Sequence, residues 1–135
     1  YEAAISGYEK LLEQQPDNAI SINNLAALLS DHRTDAASLD KAVELAAKLE
    51  KTEQPAFLDT AGWIYYRKGD YARAAEILKA VVEQSPDVPV FQYHLGMTYL
   101  KLGDKVAASE HLTRATDGDF VYEGIEEALA ALKDL

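Results

Sequence analysis

Hydrophobic positions in the middle of the chain follow the spacing of one face of an α-helix. Four of them recur at i, i+3, i+4 and i+7: Leu58, Ala61, Gly62 and Tyr65. Gly69 then suits a left-handed helix end, and Asp70 suits the cap of a following helix. A second stripe with helical spacing follows: Ala74, Leu78 and Val81. The pattern predicts two helices joined by a short turn, and Pro86 ends the second.

The same pattern recurs 34 residues later. Shifting the chain by 34 places aligns identical residues at seven positions: Gly62 with Gly96, Tyr65 with Tyr99, Gly69-Asp70 with Gly103-Asp104, Ala74 with Ala108, Glu76 with Glu110, and Leu78 with Leu112. A fixed period of this length indicates stacked copies of one helix-turn-helix unit. We therefore expect an array of repeats.

These residues resemble the tetratricopeptide repeat, a 34-residue unit with the pattern W-x2-L-G-x2-Y, A-x3-F, P. One copy matches at Leu58, Ala61-Gly62, Tyr65, Ala74, Leu78 and Pro86. The next matches at Gln92, Leu95-Gly96, Tyr99, Ala108 and Leu112, with Phe120 in place of the closing proline. A degenerate copy precedes them at Ile22, Leu25-Ala26, Leu29, Ala42, Ala46 and Leu49. The resemblance implies an all-α, right-handed superhelical solenoid.

The resemblance divides the chain into one continuous array. Residues 1–18 are expected to form the second helix of a truncated repeat, because Ala4, Tyr8, Leu11 and Pro16 lack a preceding helix. A degenerate repeat at 19–54 carries an insertion in its turn, around residues 31–35, with Ser38 as the expected N-cap of the next helix. Repeats at 55–88 and 89–118 follow. We interpret the chain as the C-terminal portion of a longer bacterial-type array.

The last segment, 119–135, is predicted to be a capping helix. Its apolar stripe is Phe120, Ile125, Leu129 and Leu132, and most of its charged residues lie elsewhere. A solenoid needs a terminal element with one polar face, because its last repeat would otherwise expose core residues to water.

Composition narrows the classes of function. The 135 residues include 13 Lys and Arg against 23 Asp and Glu, a formal charge of −10. Such a chain repels phosphate backbones and anionic lipid, so nucleic acid is not an expected partner. No apolar run approaches the ~20 residues of a membrane span, so direct membrane insertion is not expected either. Without cysteine, thiol chemistry is excluded, and both a reducing and an oxidising compartment (bacterial cytoplasm or periplasm) stay possible.

No residue pattern indicates catalysis, a metal or a cofactor. The three histidines, His32, His94 and His111, are scattered, and His94 and His111 are expected at ordinary helix-surface positions. Asp117-Gly118-Asp119 fails as a calcium loop, because Ala128 stands where a bidentate glutamate is required. No phosphate-binding glycine pattern is present. We therefore predict a non-enzymatic protein.

The resemblance implies that the first helix of each unit lines a concave groove, and the residues on that face are the candidate partner contacts. Asp59, Trp63 and Tyr66 share it, and the next unit contributes Tyr93 and Met97. The degenerate unit contributes Asn23. Aromatic residues and methionine suit peptide anchoring, since they bury a large area at low entropy cost. The alternative is that Trp63, Tyr66 and Met97 only pack one unit against the next.

The predicted function is non-catalytic protein–protein interaction, with a peptide or partner protein held in the groove. Family members that grip the carboxylate tails of chaperones use Lys, Arg and Asn on this face. No Lys or Arg is expected among the comparable residues here, which disfavours that role: Asn23, Asn24, Thr60, Val90 and His94. The alternative is a structural or self-associating segment. The repeat sequences are similar to those of bacterial arrays in envelope systems for exopolysaccharide export and exosortase-type protein sorting.

Overall fold

The computed structural model describes residues 1–135 and contains eight helices and no strands. The helices are α1 (Glu2–Gln14), α2 (Ala19–His32), α3 (Ala36–Leu49), α4 (Pro55–Lys68), α5 (Tyr71–Gln84), α6 (Pro89–Lys101), α7 (Lys105–Thr116) and α8 (Ile125–Lys133). Each helix packs on the next along the chain. The predicted all-α solenoid is confirmed.

Helix ends follow the capping residues of the sequence. The carboxylate of Asp70 accepts a hydrogen bond from the Arg73 backbone N–H at the start of α5, and Asp104 does the same for Ala107 at the start of α7. Gly69 ends α4 with φ of 94°, a conformation that costs little only for glycine. The predicted cap roles of Gly69 and Asp70 are confirmed.

The turn between α2 and α3 differs from the prediction in two details. Helix α2 continues through Asp31 and His32, so these residues do not belong to an inserted loop. The N-cap of α3 is Asp35, which accepts the backbone N–H of Ser38; the predicted cap role of Ser38 is therefore wrong. Aspartate caps as well as serine, and here it lies three residues earlier, where the chain is still extended.

The core consists of three consecutive clusters that run along the solenoid. The first joins α1 to α4, the second joins α4 to α6, and the third joins α6 to α8. Glycine makes the close helix contacts possible: a Cβ on Gly62 would lie 2.6 Å from Leu78 Cγ, and one on Gly96 would lie 2.7 Å from Leu112 Cγ.

Helix α8 packs on the last repeat through a face that only partly matches the predicted stripe, since Leu132 packs there but Leu129 does not. Ala128 is fully buried there, with Tyr122, Ala131 and Leu132 beside it, whereas Leu129 is half exposed. The contact between Gly124 and the ring of Tyr93 sets the approach of this helix, since a Cβ on Gly124 would meet the ring at 2.4 Å. Ala128, and not Leu129, faces the core.

The first helices of the successive units also contact one another. Helix α2 contacts α4, α4 contacts α6, and α6 contacts α8. These four elements form one continuous face of the solenoid. No helix in the chain is both long enough and apolar enough to cross a membrane.

Candidate partner-binding groove

A cavity of about 290 Å³ lies on the face formed by α2, α4 and α6. The segment that leads into α8 closes one end of it. The cavity, which we call the groove, is lined by Ala27, Ser30 and Asp31 from α2; Asp59, Thr60, Trp63 and Arg67 from α4; Val90, Tyr93 and His94 from α6; and Glu123, Gly124 and Glu127 at the start of α8. It is therefore built by three stacked units and the C-terminal helix.

A buried hydrogen bond between a histidine and a carboxylate joins two units in the groove. Asp59 of α4 and His94 of α6 are 6% and 9% exposed, and His94 Nδ1 lies 2.8 Å from Asp59 Oδ1. Since a carboxylate can only accept, Nδ1 is the donor in this contact. The expected surface position of His94 is wrong, because the α6 face around it is covered by α4.

Trp63 forms the centre of an aromatic stack in the groove wall. Its ring stacks on Tyr66 at 4.2 Å and on His94 at 4.1 Å, measured between ring centroids. The guanidinium of Arg67 lies 5.5 Å from the indole centroid, which is within cation–π range. Trp63 is half-buried, so it both packs one unit on the next and contributes surface to the groove.

Arg67 is the single lysine or arginine of the groove lining. Its guanidinium lies 3.4 Å from Asp31 Oδ1 on the neighbouring unit. Burial raises the pKa of Asp31, and the negative charge of Glu123 raises it further, while Arg67 opposes both effects. Both side chains of this pair are about one-third exposed, so we expect only a small contribution to stability.

Tyr93 fastens the start of α8 to α6. Its hydroxyl donates a 2.7 Å hydrogen bond to Glu127 Oε2, and its ring lies against Gly124. Burial raises the pKa of the Tyr93 phenol, and the hydrogen bond to Glu127 adds to the shift because it favours the protonated form. Tyr93 is only 3% exposed, because the rings of Trp63, His94 and Tyr122 also lie around it.

Three of the six predicted contact residues line the groove and three do not. Asp59, Trp63 and Tyr93 are in the lining, although Asp59 and Tyr93 also hold His94 and Glu127. Met97 is 6% exposed in the third core cluster. Tyr66 lies behind Trp63, where burial raises the pKa of its phenol to about 12.

Asn23 lies on α2, one helical turn before Ala27 of the lining. Its side-chain oxygen is buried and has no hydrogen-bond partner in the chain. The roles of all six predicted residues in partner binding stay predictions.

Sequence reasoning missed the charged part of the groove. The expectation that the face carries no arginine is wrong, because Arg67 lies one turn beyond Trp63 on the same side of α4. The i, i+4 spacing of Trp63 and Arg67 was a usable signal. Glu123 and Glu127 carried no such signal, since Glu123 lies in the irregular segment before α8 and this segment also positions the first turn of α8, which contains Glu127.

The stacked helix pairs and the groove on their inner face define a helical-repeat protein. A sequence profile described as tetratricopeptide repeat matches residues 65–132, so the chain belongs to the tetratricopeptide repeat family. A TPR repeat-containing protein of Pseudomonas aeruginosa is 36% identical to it over 86 residues. That match covers 64% of this chain, and it spans only 14% of the length of the relative. Repeats of this family generally mediate protein–protein interaction.

Proposed function

We propose that the chain is a non-catalytic interaction module that holds a peptide or an extended segment of a partner protein in the groove. The observation that carries the proposal is the open cavity of about 290 Å³ on the inner face of three stacked units. Ligand sites are concave, and this one has a mostly polar lining with Trp63, Val90, Tyr93 and Ala27 as its apolar part. Trp63 supplies the aromatic wall, and Thr60 and Ser30 lie among the small polar groups of the lining.

Asn23 extends the proposed site along α2. An unpaired buried amide oxygen costs about 1–3 kcal/mol, but this oxygen is buried within the chain, so the Asn23 amide must rotate before an extended partner can donate a backbone N–H to it. Backbone hydrogen bonds of this kind fix the position of a peptide without reading its side chains.

The groove is best tested by filling it and leaving the packing intact. Trp63→Ala is a poor test, because Trp63 also stacks on Tyr66 and His94 and its loss would lower stability. Ala27→Gln places a longer side chain in the groove from the wall of α2. Ala47→Gln is the matched control, since Ala47 is exposed on α3 and does not line the groove. Both changes keep the net charge and suit a helix.

A random dodecapeptide library displayed on phage would be selected on the immobilised chain. We expect enriched peptides that bind the chain and the Ala47→Gln variant, and that bind Ala27→Gln at least about tenfold more weakly, because the added side chain occupies their volume. Circular dichroism would verify that both variants fold. Failure to enrich any peptide, or equal binding to both variants, would refute the groove as the binding site.

Self-association is a second candidate. Ile20 at the start of α2 is a large apolar side chain that is 65% exposed, and it is the position at which a contact between copies is tested. A molar mass by light scattering that rises with concentration, and falls for Ile20→Asp, would support it; a constant monomer mass would contradict it. A role in a bacterial envelope assembly stays a prediction.

A further inference from the structure

The groove carries unneutralised negative charge at one end. Its lining contains four carboxylates, Asp31, Asp59, Glu123 and Glu127, against the single guanidinium of Arg67. Within the lining, Asp31 is paired with Arg67 and Asp59 with His94. Glu123 has no ion-pair partner, and Glu127 accepts only the hydroxyl hydrogen bond of Tyr93. The two glutamates therefore leave a negative end on the α8 side of the groove.

The negative charges of Glu123 and Glu127 contribute to the raised pKa values of neighbouring groups. The charge of Glu123 contributes to the raised pKa of Asp31, on the opposite side of the groove. The charge of Glu127 contributes to the raised pKa values of Tyr66 and Tyr93, although burial is the larger cause for both. A cation placed between these groups would lower the repulsion among them.

Arg67 already makes the two kinds of contact that such a cation would make. The guanidinium of Arg67 lies over the indole of Trp63 at 5.5 Å and beside the carboxylate of Asp31 at 3.4 Å. An aromatic face and a carboxylate are the two partners that an arginine side chain binds best. The groove thus contains one guanidinium, and the carboxylates of Glu123 and Glu127 beyond it have no cationic partner.

We propose that the groove selects partner segments that carry an arginine or lysine side chain, and that this side chain binds at the end bounded by Glu123 and Glu127. The inference rests on the proposed groove function and adds the charge of the partner to it. The occupant is a cationic stretch of another protein, because charge complementarity of four carboxylates to one guanidinium excludes an acidic tail.

Glutamates near a helix start also have a purely structural use, since negative charge there stabilises the helix. Glu126 and Glu127 both lie in the first turn of α8, but Glu126 does not line the groove. This difference separates the two roles. Glu126→Gln alters the charge at the helix terminus alone, whereas Glu127→Gln alters the charge at the terminus and in the groove and keeps a side-chain oxygen that can accept the Tyr93 hydroxyl.

The test uses the dodecapeptides from the phage selection that lose binding to Ala27→Gln. This filter removes peptides that merely adhere to a chain of charge −10, because Ala27→Gln has the same net charge. Three such peptides would be synthesised with capped ends, each with a partner in which Arg and Lys are replaced by Gln. Dissociation constants would be measured for the chain, for Glu123→Gln/Glu127→Gln, and for the control Glu126→Gln/Glu83→Gln, which removes the same charge outside the groove.

We expect arginine and lysine to be enriched in the groove-dependent peptides, and their replacement by glutamine to weaken binding about tenfold, as expected for the loss of one charge-assisted contact. Glu123→Gln/Glu127→Gln should weaken the parent peptides by a similar factor, and the control by less than about twofold. Groove-dependent peptides without excess arginine or lysine would overturn the inference and leave the proposed function standing. Equal loss in the control would also overturn it. The absence of any groove-dependent peptide would refute both.

Discussion

His94 Nδ1 lies 2.8 Å and 2.9 Å from the two carboxylate oxygens of Asp59, although the residues are 35 positions apart in the chain. One residue belongs to α4 and the other to α6, so the contact joins two consecutive units at the base of the groove. Both side chains are about nine-tenths buried. A polar contact this deeply placed must stay formed, because separating the two groups would leave each without a partner.

We therefore predict that Asp59→Ala lowers the free energy of unfolding by about 2–3 kcal/mol. The cost arises because His94 keeps its buried position and loses its acceptor. Urea unfolding followed by circular dichroism measures the change. Glu83→Ala, which removes an exposed carboxylate from α5, is the control and should change stability by less than about 0.5 kcal/mol. A loss no larger than that of the control would show that the contact contributes nothing.

Gly62 tests the close packing of the helix pairs. We expect Gly62→Ala to lower stability by about 1–3 kcal/mol, because its Cβ would lie 2.6 Å from Leu78 Cγ and force the two helices apart. Alanine favours a helix over glycine by about 1 kcal/mol, so the measured loss is what remains after that gain.

Gly7→Ala is the matched control for this change. Gly7 lies within α1 and nothing approaches its added Cβ within 4 Å, so the helix propensity acts alone and the variant should gain about 0.5–1 kcal/mol. Opposite signs for the two substitutions, measured by thermal and urea unfolding, are the expected result. A gain in both would mean that α4 and α5 adjust without cost.

The fold could be predicted from the sequence because two consecutive repeats carry the same residues at equivalent positions. Gly62 and Gly96 occupy equivalent positions and meet Leu78 and Leu112 in equivalent ways, and this regularity is visible as a 34-residue period. Where the chain departs from the period, prediction was less complete. A terminal helix was expected, but the burial of Ala128 and the contact between Gly124 and Tyr93 are encoded by no repeat position.

Of the candidate site, only the face of the helices that forms it could be predicted from the sequence. Helical spacing placed Asp59 and Trp63 on the inner side of α4, where the structure has them. It could not show that Asp59 is joined to His94, because that contact depends on how two units stack and not on the spacing within one helix. The negative charge at the α8 end of the groove could not be predicted either, because Glu123 reaches the groove through the irregular segment before α8.

The pH dependence of stability is expected to include a contribution from His111. Burial lowers the pKa of His111 below its usual value of 6.5, and its Nδ1 lies 2.7 Å from the side-chain oxygen of Gln92, to which the neutral ring donates. The unfolded chain then binds more protons than the folded chain as the pH falls below about 6.5. This contribution to stability is present above that pH and is lost as the solution is acidified.

An NMR titration of the His111 ring protons checks this expectation. The midpoint in the folded chain should lie below the midpoint of the same ring in the urea-unfolded chain. His111→Asn keeps a donor for Gln92 and removes the titration, so its stability should fall less than that of the parent chain between about pH 7 and pH 5. A folded midpoint equal to or above the unfolded one would contradict the assignment.

The hydrogen bond from Tyr93 to Glu127 is expected to control how firmly α8 closes the groove. Tyr93→Phe keeps the ring against Gly124 and removes the hydroxyl, so we expect a loss of about 1 kcal/mol, since Glu127 is exposed to water and can be solvated when the bond is absent. Hydrogen exchange should accelerate about fivefold for the amides of α8 and much less for those of α4 and α5, because the bond acts on the terminal helix alone. Tyr99→Phe is the control: the Tyr99 ring stacks on His111 in the last repeat, and its hydroxyl bonds no protein atom. Uniform acceleration across all helices in Tyr93→Phe would show that α8 opens only when the whole solenoid unfolds, and that the groove has no independently closing end.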